Sequence, residues 1–184
     1  PNFGLGKNEK ERISKIIKGK IHTFGSTKNN HYPIKLKKNK KKITSIMFIS
    51  SGLSEEFLKW DKIIFGHLIK FSKLNKIRLY YLDRPYQYNR VFSKSNFPKG
   101  NWVYLSNTKS VKKRYNNLNK QQMVVFGHTT LGFEALARGL KCAAFDKYFP
   151  LEGSNIKYSK SGIFWSNSNK YHDLEKILIG LHLS

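Results

Sequence analysis

The sequence predicts an α/β fold, a Rossmann-like parallel sheet with flanking helices. Two observations carry that reading. The first is the run from Val124 to Asp146, VVFGHTTLGFEALARGLKCAAFD, which reads as buried strand, polar turn, short helix and second buried strand. Val124–Phe126 and Cys142–Phe145 are apolar, Leu131–Arg138 is helix-forming, and Gly139 sits where a helix C-cap glycine belongs. The second is the alternation of apolar β-formers with helical stretches from residue 43 onward, which is the signature of parallel strands joined by crossover helices.

Each element follows from local pattern. Asn8–Lys18 has helical spacing, with Ile13, Ile16 and Ile17 on one face, and Lys20–Phe24 reads as a short strand ending in the turn-rich Gly25–Asn30. Lys35–Lys42 (KLKKNKKK) is a charge run that reads as a solvated linker. A boundary is therefore expected there, with residues 1–42 a junction or the remnant of an N-terminal domain and 43–184 the Rossmann-like domain. Ile43–Ile49 is a strand, followed by the turn Ser50-Ser51-Gly52 and a helix over Glu55–Leu74 whose apolar stripe includes Phe57, Trp60, Ile64, Leu68 and Phe71. Ile77–Leu82 is the next strand, stopped by Asp83-Arg84-Pro85-Tyr86. Trp102–Leu105 is a short strand, Ser110–Leu118 a helix, Phe149–Ser161 a polar loop, Gly162–Trp165 a last strand and Asp173–Leu183 a closing amphipathic helix.

Composition narrows the chemistry. The net charge of +24, from 35 Lys+Arg against 11 Asp+Glu, would ordinarily suggest nucleic acid or an anionic membrane. Only six of the basic residues are arginine, the residue that forks onto phosphates and bases, and the accompanying Asn, Ile, Tyr and Phe enrichment is what an AT-rich genome produces. Surface lysine is the reading taken here, with nucleic acid disfavoured and contact with an anionic membrane face tolerated. Cys142 is the one cysteine, so there is no disulfide framework, and it reads as an inert core thiol. No apolar run is long enough to span a membrane. The chain begins at Pro1, which is read as the start of a fragment or a processed chain.

Three loops follow parallel strands and are expected on one sheet edge: Ser50-Ser51-Gly52, Asp83-Arg84-Pro85 and Gly127-His128-Thr129-Thr130-Leu131-Gly132. The third is the strongest, because two threonine hydroxyls and the N–H groups of Leu131 and Gly132 at a helix start form an anion site. The bland alternative is that Thr129 or Thr130 merely caps the helix. His128, with no acidic partner nearby in sequence, is read as a binding rather than a proton-transferring residue. Arg84 and Arg90 fit anion pairing or plain solvent exposure equally. Glu134 lies four residues before Arg138, the spacing of an ordinary helical salt bridge. There is no G-x-x-x-x-G-K-[ST], no G-x-G-x-x-G after the first strand, no G-x-S-x-G elbow and no paired metal-ligand spacing, so no metal or cofactor is expected.

The segment from Val125 to Phe145 resembles the donor-half motif of bacterial surface-carbohydrate biosynthesis proteins, GT-B-like glycosyltransferases with a line such as S-T-L-G-Y-E-A-L-A-R-G before an apolar strand. Phe24–Asn30 is similar to their G-S-F-[RK]-N-N turn, and Gly162–Asn167 to their G-x-F-W-[TS]-N segment, all in family order. The resemblance implies half of a GT-B enzyme, mostly the C-terminal donor-binding half. Its substrate would be a nucleotide-sugar, its acceptor a glycan or a lipid-linked glycan, and its place the cytoplasm or the inner face of the cytoplasmic membrane. The resemblance also gives Glu134 a contact with donor sugar or ribose. Ser50, Ser51, Gly52, Arg84, Gly127, His128, Thr129, Thr130, Leu131, Gly132 and Glu134 are the expected donor-binding residues. The resemblance implies a separate acceptor half, where such enzymes often carry the catalytic base, so no base is assigned in this sequence. A basic nucleic-acid-binding module and a sugar-nucleotide epimerase of GT-B-like fold are the rival readings.

Overall fold

The computed structural model describes residues 2–4, 14–15, 21–23, 43–52, 54–83, 97–105, 110–147 and 164–183. The chain divides into two compact units, Pro1–Ile34 and Lys35–Ser184. In the first, β1 (Asn2–Gly4) pairs in parallel with β2 (Ile21–Thr23). The Asn8–Lys18 helix, apart from Ser14 and Lys15, lies outside the described residues, as do all residues from 24 to 42, the Gly25–Asn30 turn and the Lys35–Lys42 run among them.

The second unit is an α/β domain. Its elements run β3 (Ser45–Ile49), α1 (Glu55–Leu74), β4 (Arg78–Leu82), β5 (Trp102–Leu105), α2 (Val111–Asn119), β6 (Met123–Phe126), α3 (Thr130–Ala137), β7 (Lys141–Phe145), β8 (Trp165–Ser166) and α4 (Tyr171–Leu183). The six strands form one sheet in the order β5-β4-β3-β6-β7-β8, and every pair is parallel. This is the doubly wound order, and its direction of winding reverses between β3 and β6.

The strands are apolar at nearly every position because both sheet faces are covered. Ile46, Phe48, Leu79, Tyr81, Met123, Val125, Ala143 and Phe145 join one core with Ile64, Phe65, Leu68 and Phe71 of α1 and Leu174, Ile177 and Leu178 of α4. Alternate positions point the other way: a Cβ on Gly132 of α3 would lie 2.1 Å from Cγ of Phe126, so α3 packs on that face with no room for even a methyl group. Close packing of a helix onto the strand before it therefore demands glycine at 132.

Caps set the helix ends. Ser54 opens α1, its hydroxyl accepting from the Phe57 N–H, and Ser110 opens α2 by accepting from the Lys113 N–H. Gly139 follows α3 in the left-handed region at φ 73°, with Gly139 N–H donating to Leu136 O and Leu140 N–H to Ala135 O, a Schellman closure. Lys76 occupies the same kind of position after α1 at φ 54° without being glycine. Cys142 is buried, and desolvation pushes its thiol up to about 12, so it is inert core as read from the sequence.

Candidate functional site at the sheet switch point

Register brings the first and third loops together. Ile49 pairs with Phe126, so Ser50 and Gly127 leave neighbouring strands at the same level of the carboxyl edge. Here the chain excursions from β3 and β6 part to opposite sides, which opens the crevice where ligands of this architecture bind. Ser51 and His128 are tied across it, the His128 N–H donating to Ser51 Oγ at 2.9 Å. A Cβ on Gly127 would stand 2.5 Å from that same Ser51 Oγ, so the crossing exists only because residue 127 is glycine. Gly52 turns the first loop at φ 52°.

Beneath the crevice sits Asp61, fully buried on the second turn of α1. Its Oδ2 accepts from Ser50 Oγ and Ser51 N, both at 2.8 Å, and its Oδ1 accepts from Ser51 Oγ at 3.1 Å. Burial pushes this carboxyl up to about 7 from 3.8, and the hydrogen bonds from Ser50, Ser51 and the Gly52 backbone offset only part of that. Ser50 and Ser51 are themselves buried, and their hydroxyls serve this internal network. Their role here is to fix the loop backbone and, through Ser51, the position of His128.

His128 has an acidic partner after all. Its Nδ1 lies 2.9 Å from Oδ2 of Asp146, a buried residue immediately past β7. Phe57 of α1 stacks on the imidazole, ring centroids 5.1 Å apart and planes 25° from parallel. About a third of the His128 side chain is exposed, against 3% for Asp146. Two further bonds hold α1 over this corner: Trp60 Nε1 donates to Phe145 O at 3.0 Å and Lys147 Nζ to Glu56 Oε1 at 2.5 Å. The sequence reading missed Asp146 because it lies eighteen residues away. The two meet because β6 and β7 are adjacent parallel strands, so the residues just past them share one edge.

Thr129 occupies the N-cap of α3, but its side chain makes no capping hydrogen bond, and Thr130 is exposed. The first turn of α3 holds no acidic residue, whereas that of α1 holds Glu55 and Glu56. Of the two helix starts that flank the crevice, those of α1 and α3, only that of α3 has no acidic side chain in its first turn to offset the positive end. Leu131 and Gly132 follow in that first turn, and Gly132 also has the packing role against Phe126.

Glu134 lies a turn further along α3, where Tyr115 of α2 donates its hydroxyl to Oε2 at 2.5 Å. The Arg138 guanidinium, buried, stacks 4.1 Å over the Tyr115 ring. Burial, then the bond to Glu134, pushes the Tyr115 hydroxyl up to about 12. Arg84 and Arg90 lie outside the described residues. Asp83, at the end of β4, is mostly buried and accepts from Tyr104 Oη at 2.9 Å. Among the described residues no three His, Cys, Asp or Glu side chains gather as a metal site would require, and no helix is long and apolar enough to cross a membrane.

Fold and crevice together define a doubly wound α/β domain with its polar residues gathered at the switch point. The family model described as "putative O-antigen biosynthesis protein" matches residues 51–182, and the chain belongs to that family. No curated protein matches the sequence. Among solved structures, the MAR1 ribonuclease of Caenorhabditis elegans is similar at 14% identity, covering 76% of this chain and 73% of that one, with a TM-score of 0.38. A superposition that loose carries no argument about function.

Proposed function

We propose that this chain is the donor-binding half of a GT-B-like glycosyltransferase that uses a nucleotide-sugar in bacterial surface polysaccharide assembly. Membership of an O-antigen biosynthesis family supports the biological setting. The observation that carries the donor site is the start of α3. His128, Thr129 and Thr130 stand at the switch-point crevice beside a helix N-terminus whose first turn has no acidic residue. Backbone N–H groups there suit a donor phosphate, and the threonine hydroxyls add hydrogen bonds to it.

In the transfer, the acceptor oxygen forms its bond to the anomeric carbon as the bond from that carbon to the phosphate oxygen breaks. The departing electron pair stays on the phosphate, where the α3 N–H groups and dipole stabilise it. The acceptor hydroxyl gives its proton to a base, which enzymes of the kind this chain resembles often carry on their acceptor half. The acceptor is a glycan or lipid-linked glycan, and the surplus of lysine suits work beside the anionic inner face of the cytoplasmic membrane.

Calorimetric titration of UDP-, GDP- and CMP-sugars against the wild type and Thr130→Val tests this. One donor class should bind, and the valine variant, folded, should lose about 1.5–3 kcal/mol of affinity. Equal affinity in a folded Thr130→Val would remove this loop as the phosphate site.

A further inference from the structure

The His128–Asp146 pair has a geometry that donor binding by a helix N-terminus alone does not require. Three contacts from three different elements fix His128, two on its imidazole and one on its backbone. Asp146 past β7 engages Nδ1 at 2.9 Å, Ser51 past β3 accepts from the backbone N–H, and Phe57 of α1 stacks on the ring. With Nδ1 held by a carboxylate, the proton-bearing tautomer at that nitrogen is set, and Nε2 is the ring nitrogen left to face a ligand. The side chain is a third exposed, so the ring held by Asp146 and Phe57 is still accessible from solvent.

We propose that His128 binds the donor as an imidazolium, donating from Nε2 to a phosphate oxygen, with Asp146 and Phe57 as its positioning residues, so that donor binding takes up a proton. This rests on the donor-site reading above and adds to it the charge state and the partner that sets it. A neutral imidazole with Nδ1–H committed to Asp146 would present a lone pair to the phosphate and repel it; protonation turns Nε2 into a charge-assisted donor. The incoming anion and Asp146 then flank the ring on its two nitrogens. Among the described residues the charged neighbours are these. Asp61 stands behind Ser51, Glu56 is paired with Lys147, and Glu55 is paired with Lys59 at 3.1 Å on the outer side of α1. Opposing protonation is the positive start of α3, and it is Asp146, in direct contact, that offsets it.

The probes are UDP-glucose, GDP-mannose and CMP-N-acetylneuraminate, whose esterified phosphates keep a fixed charge near neutral pH. Calorimetry in two buffers of different ionisation heat reads proton uptake directly. The expected result is affinity roughly tenfold tighter near pH 6 than near pH 8, with uptake approaching about one proton per site at the upper end. His128→Gln should abolish both the uptake and the pH dependence. Asp146→Asn should shift the pH dependence toward acid, because the imidazolium loses its carboxylate. Thr130→Val should weaken binding and leave the uptake unchanged. Binding without proton uptake, or uptake that persists in His128→Gln, overturns the proposal while leaving the donor site standing. Failure of all three probes to bind the wild type at either pH overturns the donor reading and this one with it.

Discussion

Replacing Asp61 with asparagine should change how stability depends on pH, and the size of the effect follows from where the carboxyl sits. In the unfolded chain it releases its proton near 3.8, and in the folded protein burial pushes it up to about 7. Between those values the folded state holds the proton and the unfolded state does not. Stability from this group is therefore fully present at about pH 4, declines as pH rises through about 7, and is flat above that. The difference of about three units corresponds to about 4 kcal/mol. Asparagine cannot ionise. Its amide oxygen can take the place of Oδ2, which accepts from Ser50 Oγ and Ser51 N, and its NH2 can donate to Ser51 Oγ. Urea unfolding of both proteins at a series of pH values should show Asp61→Asn gaining on the wild type by up to about 4 kcal/mol between pH 4 and pH 8. A stability difference that stays constant over that range would refute the claim that this carboxyl is buried and held above its ordinary value.

Gly132→Ala places a methyl group 2.1 Å from the Phe126 ring and should cost about 1–3 kcal/mol, partly recovered by Phe126→Leu in the same chain; melting temperatures of the single and double variants check this, and additive losses would count against the contact. Lys76→Gly relieves a side chain held at φ 54° and should stabilise by about 1 kcal/mol in chemical denaturation, an effect absent if that residue's conformation is unstrained. Tyr115→Phe removes the hydroxyl donated to Glu134 and should cost about 1 kcal/mol of stability with donor affinity unchanged, whereas Glu134→Ala should lower both. A Glu134→Ala that loses stability alone would leave Glu134 as a strut between α2 and α3.

The domain was legible from residue 43 onward because its signals are local. Glu55–Leu74 is helical over the range that its apolar stripe marks, and Ser54 supplies the cap. Trp102–Leu105 is a strand as read, and Gly139 closes α3. The Gly162–Trp165 strand is observed as Trp165–Ser166, with 161–163 outside the described residues; the Lys20–Phe24 strand is observed as Ile21–Thr23, and its partner Asn2–Gly4 went unanticipated since three residues carry little periodicity. The crevice was legible only as a set of loops. That Ser50 and Ser51 turn inward depends on Asp61, which in the sequence is one more polar residue on an amphipathic helix. That His128 has Asp146, and Glu134 has Tyr115, depends on strand and helix adjacency, which no spacing along the chain encodes. Local pattern specifies elements; the chemistry of this edge comes from side chains that meet only after the sheet has formed.

The proposed function stands on the turn into α3 as the seat of the donor phosphate. Amide hydrogen exchange of the chain with and without a nucleotide-sugar that binds it tests this most directly. Slowed exchange is expected to concentrate at Gly127–Gly132, where the backbone N–H groups of the turn and the first α3 residues would be engaged. Slowing confined to other segments, with exchange at Gly127–Gly132 unaltered by saturating donor, would contradict it.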